Sequence, residues 1–430
     1  MSSKTKTTVT KEEARPALVP KLRFPEFRGA KGWTGEKLGP KTKKVGSGIT
    51  PTGGEKNYKQ SGRPFVRSQN IGWGELLLDD VAFIDEKTHN SFSSTQIDVF
   101  DVLLNITGAS IGRSAVADAR IEGGNVNQHV CIIRVKPDEL SPYFLNQYLI
   151  SHDGQNQIDS FQAGGNRQGL NFEQIRSFLI PLPSAFAEQQ KVAECLSSAD
   201  ELMAAQARKV DALKTHKKGL MQQLFPREGE TQPRLRFTEF QNAGEWKRMT
   251  FGQAATFYNG RAYKQEELLE SGKYPVLRVG NFFTSTTWYY SDLELDETKY
   301  CENGDLLYAW SASFGPRIWR GEKSIYHYHI WKVIEQRGID KQFLFITLEN
   351  ETENMKAKTT NGLGIMHITK GAIESWESTF PTMAEQRKIA DCLTTLDNTI
   401  TAEIEKLDAL KTHKDGLMQQ LFPSLDAIQS

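Results

Sequence analysis

The sequence predicts an α+β protein in which two β-rich domains, each with a few helices, alternate with two long helices. The long helices are expected to pair as an antiparallel coiled coil, which gives the chain pseudo-twofold symmetry. Three observations predict this fold: an internal repeat, a heptad pattern inside each repeated segment, and short β-rich runs between the repeated segments. A length of 430 residues leaves room for two or three domain cores.

The composition is that of a globular protein without membrane spans. The chain has 53 Lys and Arg, 53 Asp and Glu, and a mean hydropathy of -0.51. No run approaches the ~18 apolar residues of a transmembrane helix, and the N-terminus lacks the apolar core of a secretory signal. The four cysteines are far apart and form no CxxC motif, so we expect reduced thiols and a cytoplasmic location.

Two segments of the chain, 187–226 and 384–423, repeat each other with 25 identities in 40 aligned positions. A shorter repeat lies upstream of each segment, where 20–27 (PKLRFPEF) is similar to 233–240 (PRLRFTEF). The repeat predicts an alternation of domains and helices: 1–19 as a disordered tail, 20–183 as the first domain, 184–226 as the first helix, 227–380 as the second domain, and 381–430 as the second helix with a C-terminal tail.

Apolar residues in both repeated segments follow alternating steps of four and three residues, which is the a/d pattern of a coiled coil. Proline precedes and follows each segment and bounds the predicted helices. The expected seam residues, including two polar ones, are Met203, Val210, Leu213, Lys217, Leu220, Leu224, Leu396, Ile400, Glu403, Leu407, Leu410 and Leu417.

Polar residues within the seam indicate the orientation of the helices. One antiparallel register places Lys217 opposite Glu403 and Gln206 opposite Lys414, and it pairs the apolar seam residues with one another. We therefore expect an antiparallel pair with these contacts. The alternative is that each helix packs separately on its own domain.

The two domains carry short β-rich runs separated by Gly- and Asn-rich stretches, which predicts sheets or twisted β-cores. One helix is expected in each domain, at 140–151 and 341–351. The domains share only an order of segments, whereas the long helices share most of their residues, as expected if each domain recognises something different. The β-rich runs are 64–67, 102–105, 130–135, 274–278, 306–310 and 330–334.

The sequence lacks the motifs of a catalytic or cofactor-binding protein. It contains no GxxxxGK[ST] phosphate loop, no GxGxxG after a strand, and no Asn-Pro-Pro-aromatic tetrapeptide of the kind amino-methyltransferases use. His327 and His329 alternate along one predicted strand face, but no Cys or acidic residue stands at metal-ligand spacing beside them. We therefore predict no catalytic residue and no metal site.

With these features the chain resembles the specificity subunit of type I restriction–modification systems, over essentially the whole chain after the tail. Each predicted helix opens with Ala-Glu-Gln, at 187 and 384, and ends with Gly-Leu-Met-Gln-Gln-Leu-Phe-Pro. Further marks are Gly304-Asp-Leu-Leu in the second domain and Thr107-Gly-Ala-Ser in the first. Two departures are Phe100, which stands where the second half has Gly304, and the segment 378–381, which keeps one of the two prolines of 179–183.

The resemblance implies a non-catalytic subunit whose two target-recognition domains each contact one half of a bipartite, asymmetric DNA sequence. The helix pair would set the distance between the two halves of the DNA sequence. The implied partners are double-stranded DNA, two methyltransferase subunits and the restriction/translocase subunits. S-adenosylmethionine, ATP and Mg would be bound in those partners, and this chain would need no cofactor of its own.

Base contacts are expected from polar side chains in loops, because Arg pairs with guanine, and Asn or Gln with adenine, in the major groove. The candidates in the first domain are Arg67, Gln69, Asn70, Ser110, Arg113, Asn127, Gln128, Asn166, Arg167 and Gln168. The candidates in the second domain are Arg278, Asn281, Ser311, Ser313, His327, Asn361 and His367. Phosphate contacts are expected from Lys41, Lys43, Lys44, Lys56 and Lys59, in a stretch with 12 basic and 3 acidic residues.

The residues alone leave other interpretations open. Asn70 and Asn281 could instead cap turns, and Arg113 could pair with a nearby carboxylate. The alternative functions are a self-contained DNA-modifying or DNA-cleaving enzyme and a coiled-coil interaction protein with no nucleic-acid partner.

Overall fold

The computed structural model describes residues 17–162, 169–283, 285–311, 315–359 and 367–425, without the side chains of 357–359. It divides into two compact units. Unit 1 takes the described residues up to Ala207 and from Glu405 onward, and unit 2 takes Arg208–Ile404. Of the predicted tail, residues 1–16 lie outside the described residues, whereas Leu18 is buried and exchanges backbone hydrogen bonds with Trp33.

Unit 1 contains nine strands and four short helices among its described residues, followed by the first part of a long helix. The elements are β1 Thr34–Lys37, β2 Thr42–Ser47, β3 Arg63–Val66, β4 Ala82–Ile84, α1 Glu86–Ser91, β5 Val102–Asn105, β6 Ser114–Val116, β7 Asn125–Val126, β8 Val130–Val135, α2 Pro142–Leu149, α3 His152–Ser160, α4 Phe172–Ser177, β9 Leu179–Leu182 and α5 Phe186–Leu224.

Unit 2 repeats this plan, and its last helix continues into unit 1. The elements are β10 Lys247–Thr250, α6 Phe251–Ala254, β11 Ala255–Asn259, β12 Tyr274–Leu277, α7 Val279–Phe283, β13 Tyr289–Ser291, β14 Tyr300–Cys301, β15 Leu306–Ala309, β16 Gly315–Ile318, β17 Ser324–Tyr326, β18 Ile330–Glu335, α8 Lys341–Thr359, α9 Lys370–Ser375, β19 Glu377–Phe380 and α10 Met383–Leu421. Each of the six predicted β-rich runs contains a strand, and the two predicted domain helices correspond to α2 and α8.

The sheets of the two units are closely related, although the second sheet has three strands in unit 1 and four in unit 2. The four-stranded antiparallel sheet has the order β2-β8-β5-β6 in unit 1 and β11-β18-β15-β16 in unit 2. A second sheet contains one parallel pair, β3 with β7 in unit 1 and β12 with β17 in unit 2. A two-stranded ribbon, β1-β9 or β10-β19, joins the start of each domain to the strand that precedes its long helix.

Local sequence explains where these elements begin and why they are buried. Helix α2 starts with Pro142, and the Ser141 hydroxyl accepts a hydrogen bond from the Phe144 amide, as an N-cap does. Strand β5 has four buried residues because the sheet is covered on both faces. A core cluster in unit 1 contains Trp33 and Phe144, and the corresponding cluster in unit 2 contains Trp246 and Phe343.

The long helices run antiparallel within each unit. In unit 1 the first half of α5 packs on the last turns of α10, and Leu196 and Leu421 lie in one core cluster. In unit 2 the second half of α5 packs on the first half of α10, and Leu224 and Leu393 share a cluster. The predicted antiparallel pairing is therefore confirmed. All twelve predicted seam residues are buried or half-buried.

The register of this pair differs from the predicted one. The Lys217 ammonium lies 2.7 Å from Asp397, and the predicted partner Glu403 accepts a 2.8 Å hydrogen bond from Lys209 instead. In unit 1, Lys414 donates to Asp200 at 2.6 Å. The prediction was wrong by about one heptad, because a shift of seven residues again places a and d positions opposite each other.

A buried ion pair explains the two short motifs that recur in the chain. Arg23, from the first PKLRFPEF motif, donates two hydrogen bonds of 2.7 Å to Glu188 at the start of α5, and Glu188 is 1% exposed. Arg236, from the second motif, makes the same two bonds to Glu385 at the start of α10. The repeated Arg and Glu therefore fasten the entry of each domain to a long helix.

The glutamine that follows each buried glutamate binds the turn before the first helix packed on the sheet. Gln189 accepts from the Ser141 amide at 2.9 Å, and Gln386 accepts from the Asp340 amide at 2.8 Å. Each Ala-Glu-Gln motif thus orients its domain relative to the helix that follows it in the chain.

Candidate nucleic-acid interface

In unit 1, three backbone segments meet at one end of the central sheets. The Asn127 amide donates to the Val66 carbonyl at 3.0 Å, which sets the turn after β7 beside the end of β3. The Ile106 amide donates to the His129 carbonyl at 3.0 Å, which brings the loop after β5 to the same turn. The side chains that follow these bonds share one surface, called surface 1, which comprises Arg67, Gln69, Thr107, Asn127, Gln128 and His129.

The same three segments meet in unit 2. The His327 amide donates to the Leu277 carbonyl at 2.9 Å, and the Trp310 amide donates to the His329 carbonyl at 3.0 Å. These bonds match those of unit 1 in position and direction. The corresponding surface, called surface 2, comprises Arg278, Trp310, Ser311, His327, Tyr328, His329 and His367.

A glycine lies at the base of each surface because backbone passes directly over it. A Cβ on Gly48, just after β2, would lie 1.5 Å from the Val126 carbonyl oxygen. A Cβ on Gly260, just after β11, would lie 2.3 Å from the His327 carbonyl oxygen. These distances exclude a side chain at Gly48 and Gly260. The turn carrying Asn127 or His327 therefore packs directly against the glycine backbone.

An arginine occupies the same position on both surfaces. The Arg67 guanidinium lies 5.4 Å from the Tyr58 ring centre, and Arg278 lies 4.8 Å from the Tyr289 ring centre. Both Nε atoms are buried without a hydrogen-bond partner among the described residues. Arg67 also donates to the Asp80 carbonyl at 2.7 Å. Each arginine is therefore held in place by a ring while keeping unused donors.

Two further predicted residues, in the turn after β3, differ in their accessibility. Asn70 is fully buried: it accepts from the Arg67 amide at 3.0 Å and donates to Leu77 and Asp80 at 2.9 Å each. It stabilises the turn after β3, which matches the alternative interpretation. Gln69 is exposed and hydrogen-bonded to the Asp80 carboxylate, so it can reach a ligand.

The remaining side chains of surface 1 form a hydrogen-bonded row. Gln128 is exposed, accepts from Thr50, and lies with its amide nitrogen 3.0 Å from His129 Nε2. His129 Nδ1 is in turn hydrogen-bonded to Thr107. Asn127 is buried and accepts from the His129 amide at 3.1 Å. Surface 1 thus presents amides and hydroxyls whose orientation is fixed before a ligand binds.

The other predicted residues of the first domain lie beside surface 1 or outside the described chain. Ser110 and Arg113 are half-buried on the loop after β5. The Arg113 side chain has no hydrogen bond or ion pair among the described residues. Asn166, Arg167 and Gln168 lie outside the described residues, although Gly169 pairs with Thr107 at the edge of surface 1.

Surface 2 is dominated by rings. The Trp310 ring centre lies 4.8 Å from that of His329 and 6.1 Å from that of Tyr328, and His327 lies 4.4 Å from Tyr328. Burial lowers the pKa of His327 to about 4, with His329 and Arg278 lowering it further, and burial also lowers the pKa of His329. Both imidazoles are therefore neutral at physiological pH.

The remaining predicted residues of the second domain occupy different places. Ser311 pairs with His367 through a backbone bridge at the edge of surface 2, so these two lie together. Asn281 donates to the Thr287 carbonyl at 2.6 Å and to the Ser285 carbonyl at 3.4 Å, which stabilises the loop after α7. Ser313 and Asn361 lie outside the described residues.

Three of the five predicted phosphate-binding lysines lie away from surface 1. Lys41, Lys43 and Lys44 stand at the start of β2, whereas surface 1 is next to its other end, about 15 Å along the strand. Lys41 is paired with Glu139 at 3.3 Å, and Lys44 donates to the Ser94 carbonyl at 2.6 Å. Only Lys43 of these three is exposed.

The other two lysines lie beside surface 1. Lys56 and Lys59 are exposed and flank Tyr58, the ring under Arg67. Lys59 lies 3.9 Å from Asp85, an exposed contact that contributes little to stability. Of the five predicted phosphate-binding lysines, these two are the ones that lie beside surface 1.

Comparison with known proteins identifies the family of the chain. A profile of the type I restriction modification DNA specificity domain matches the chain twice, at residues 47–215 and 243–412. The chain belongs to the type I restriction–modification specificity family. Its function is sequence-specific DNA recognition within such a system, and the catalytic activities lie in other subunits.

Similar proteins match most or part of the chain. The putative type I restriction enzyme MjaX specificity subunit of Methanocaldococcus jannaschii is 22% identical over 388 residues, which cover 86% of this chain and 88% of that protein. The type I restriction enzyme EcoBI specificity subunit of Escherichia coli is 23% identical over 178 residues, which cover 41% of this chain and 36% of that protein.

Solved structures share the fold of this specificity subunit. The type I S subunit of M. genitalium matches with a TM-score of 0.60 at 16% identity, covering 95% of this chain and 100% of that one. A chain from a structural study of type I complex assembly and conformational transition matches with a TM-score of 0.58 at 17% identity, covering 91% and 98%. At these identities the likeness establishes the fold alone.

The described residues provide neither a candidate metal site nor a candidate membrane span. No group of three or more His, Cys, Asp or Glu side chains there is arranged to hold a metal ion. No helix in the same part of the specificity subunit is long and apolar enough to cross a membrane.

Sequence reasoning missed several residues of the two surfaces. Trp310 and Tyr328 were absent from the candidates because aromatic residues within β-rich runs usually belong to a core. Tyr58, Tyr289 and Asp80 were missed because they act through an arginine that lies 9 to 13 residues away in the chain. One signal was available: Tyr328 lies between the two histidines that the strand pattern had singled out.

Proposed function

We propose that surface 1 and surface 2 each bind one half of a bipartite, asymmetric DNA target and that the paired long helices set the distance between the halves. The observation that carries this proposal is a shared backbone frame with different side chains. The same hydrogen bonds position both surfaces, but surface 1 carries amides and hydroxyls where surface 2 carries rings. Such a pair of surfaces binds two half-sites of different sequence.

Surface 1 has the chemistry for hydrogen-bonded base recognition. Arg67 can donate to guanine O6 and N7, and Gln69 and Gln128 can each pair with adenine N6 and N7. Asp80 receives hydrogen bonds from Arg67 and Gln69, so both side chains are oriented before DNA arrives. Lys56 and Lys59 would add phosphate contacts that fix the position of the protein on the duplex.

Surface 2 carries no side-chain amide among its residues, in contrast to surface 1. Arg278 is its main cation, and the Tyr289 ring supports it without any acidic partner among the described residues. We assign guanine contact in the second half-site to Arg278. Ser311 and His367 lie at the edge of the surface, where they can contact a neighbouring base or sugar.

We further propose that the chain works within a larger assembly in the cytoplasm. The long helices carry nearly the same sequence twice, which offers two equivalent binding sites for two methyltransferase subunits. Restriction/translocase subunits would join that core. The methyltransferases would bind S-adenosylmethionine and methylate adenine, and the translocases would use ATP and Mg, while this chain would hold no cofactor.

The experiment is to express the chain with its methyltransferase partner and to map methylated adenines across a genome. We expect one asymmetric split motif. Arg67→Ala should relax one half of that motif, and Arg278→Ala should relax the other half, each by about 5- to 150-fold in discrimination against the wrong base. A fixed distance between the two halves is expected in both variants.

Two exposed residues away from the surfaces serve as matched controls. Lys43→Ala in unit 1 and Arg337→Ala in unit 2 also remove one positive charge each, and they should leave both halves of the motif unchanged. If Arg67→Ala and Arg278→Ala affected the same half, the assignment of one half-site to each surface would be wrong.

A further inference from the structure

A cluster of four rings on surface 2 replaces residues of mostly different chemistry on surface 1. We call Trp310, His327, Tyr328 and His329 the aromatic cluster. At the equivalent positions, surface 1 and its flank have Ile106, Asn127, Gln128 and His129. Because the backbone hydrogen bonds are the same in both units, the difference lies in the side chains alone and changes what each surface can bind.

The aromatic cluster is held rigidly by a stack of rings that continues into the core. Trp310 is stacked on Trp331 with 5.9 Å between ring centres, and Trp331 is stacked on Tyr308 at 5.9 Å. Trp331 and Tyr308 are both buried. A ligand that contacts the cluster therefore does not have to order its rings, which lowers the entropic cost of binding.

Two polar side-chain atoms of the cluster are occupied by hydrogen bonds within the protein. Trp310 Nε1 donates to the Tyr328 carbonyl at 2.8 Å, and His327 Nδ1 accepts from the His329 amide at 3.5 Å. The imidazoles are neutral, as described above. Tyr328 is 39% exposed, and the cluster offers carbon-rich ring surface to whatever binds there.

Apolar surface at a DNA interface is favourable only if it meets an apolar group of the DNA. Among the base edges of the major groove, the 5-methyl group of thymine is the apolar one. Building on the proposed function, we propose that the aromatic cluster contacts thymine 5-methyl groups in the half-site bound by surface 2, beside the guanine contacted by Arg278. Surface 1 has no such cluster and is indifferent to that methyl group.

The experiment replaces thymine by deoxyuridine, which removes only the methyl group and keeps base pairing and base stacking. The assembled complex with its methyltransferase subunits is titrated with duplexes that carry the mapped target. One set has deoxyuridine in one half-site, and a second set has it in the other. Binding should weaken about fourfold for each contacted methyl group, in one half-site only.

The variant Tyr328→Ala links this loss to the aromatic cluster. Tyr328 is exposed, so its truncation should preserve the fold, and the variant should bind thymine and deoxyuridine duplexes with equal affinity. The matched variant Gln128→Ala, at the equivalent position of unit 1, should weaken binding but keep the fourfold difference. Such coupling is what a double-mutant comparison measures.

Several outcomes would overturn the inference. A half-site without thymine, equal binding of thymine and deoxyuridine duplexes by the wild type, or an unchanged difference in Tyr328→Ala would each do so. If deoxyuridine has no effect while Tyr328→Ala still weakens binding, the rings stack on bases instead. A complex that binds duplexes with and without the mapped target equally well would contradict the proposed function itself. This outcome therefore distinguishes failure of the proposed function from failure of the thymine inference.

Discussion

Gly48 and Gly260 stand where β2 and β11 pass beneath the turns that carry the two surfaces. The position of each turn depends on a missing side chain, because its carbonyl oxygen occupies the space a Cβ would take. Neither glycine was singled out by the sequence. A glycine after a strand is common, and only the distance to Val126 or His327 shows that it cannot be replaced.

We expect Gly48→Ala to destabilise unit 1 by about 3 kcal/mol, because Cβ would lie 1.5 Å from the Val126 carbonyl oxygen and would force the backbone apart. Urea denaturation monitored by circular dichroism measures this. Gly46→Ala is the matched control, since Gly46 lies on the same strand and a Cβ there meets nothing within 4 Å. Equal stability of the two variants would contradict the close approach.

Phe100 illustrates how a departure from a motif can conserve backbone conformation. It adopts φ of 72°, and the equivalent Gly304 adopts φ of 94°. The following carboxylates act alike: Asp101 binds Arg134 at 2.8 Å, and Asp305 binds Lys332 at 2.7 Å. The sequence comparison flagged the missing glycine, but it gave no sign that the turn is kept despite the strain.

At the scale of elements, the long helices show how far a heptad pattern can be interpreted. It predicted the two helices and their orientation, and both are confirmed. It did not predict the register, because registers that differ by seven residues align apolar positions equally well. The ion pairs of Asp200 and Asp397 distinguish between them. These residues stand beside the seam rather than in it, so they were not considered.

The strands and surfaces likewise include features that the sequence predicted and features that it did not. The β-rich runs were predicted because their composition is local, and Arg67 and Arg278 were predicted because an arginine in a loop can pair with guanine. The pairing of Arg67 with Asp80, and the distance of Lys43 from surface 1, depend on how strands are ordered in the sheets. No pattern within a single segment contains that information.

We expect Asp200→Ala to cost about 3 kcal/mol of stability, because it leaves the buried Lys414 ammonium without its 2.6 Å partner. Thermal and urea denaturation measure this loss. The control is Asp408→Ala, which removes an exposed carboxylate paired with Lys411 on α10 and should cost under about 0.5 kcal/mol. Similar losses in both variants would mean that the Asp200 pair does not hold the helices in register.

At the scale of the whole molecule, two equivalent ion pairs fasten the domains to the long helices, and they differ in one bond. Trp33 also donates to Glu188 at 3.1 Å, whereas the Trp246 nitrogen has no hydrogen-bond partner among the described residues. Glu385 therefore depends more heavily on Arg236 than Glu188 depends on Arg23.

We expect Arg23→Ala to destabilise unit 1 by about 3 kcal/mol and Arg236→Ala to destabilise unit 2 by about 4 kcal/mol, since each leaves a buried carboxylate unpaired. Hydrogen exchange should rise mainly in the unit that carries the substitution. Arg120→Ala, which breaks an exposed pair, is the control. Equal exchange changes in both units for either variant would contradict this localisation.

The division of the chain between its units also has a consequence for synthesis on the ribosome. Unit 2 is one uninterrupted stretch, Arg208–Ile404, whereas unit 1 is completed only by residues from Glu405 onward, which place Leu421 and Phe422 in its core. During translation, the module made first must wait, with part of its apolar interior uncovered, until the residues from Glu405 onward have been made. Nascent chains released early would expose that interior to chaperones and proteases, so only finished copies would be stable enough to accumulate.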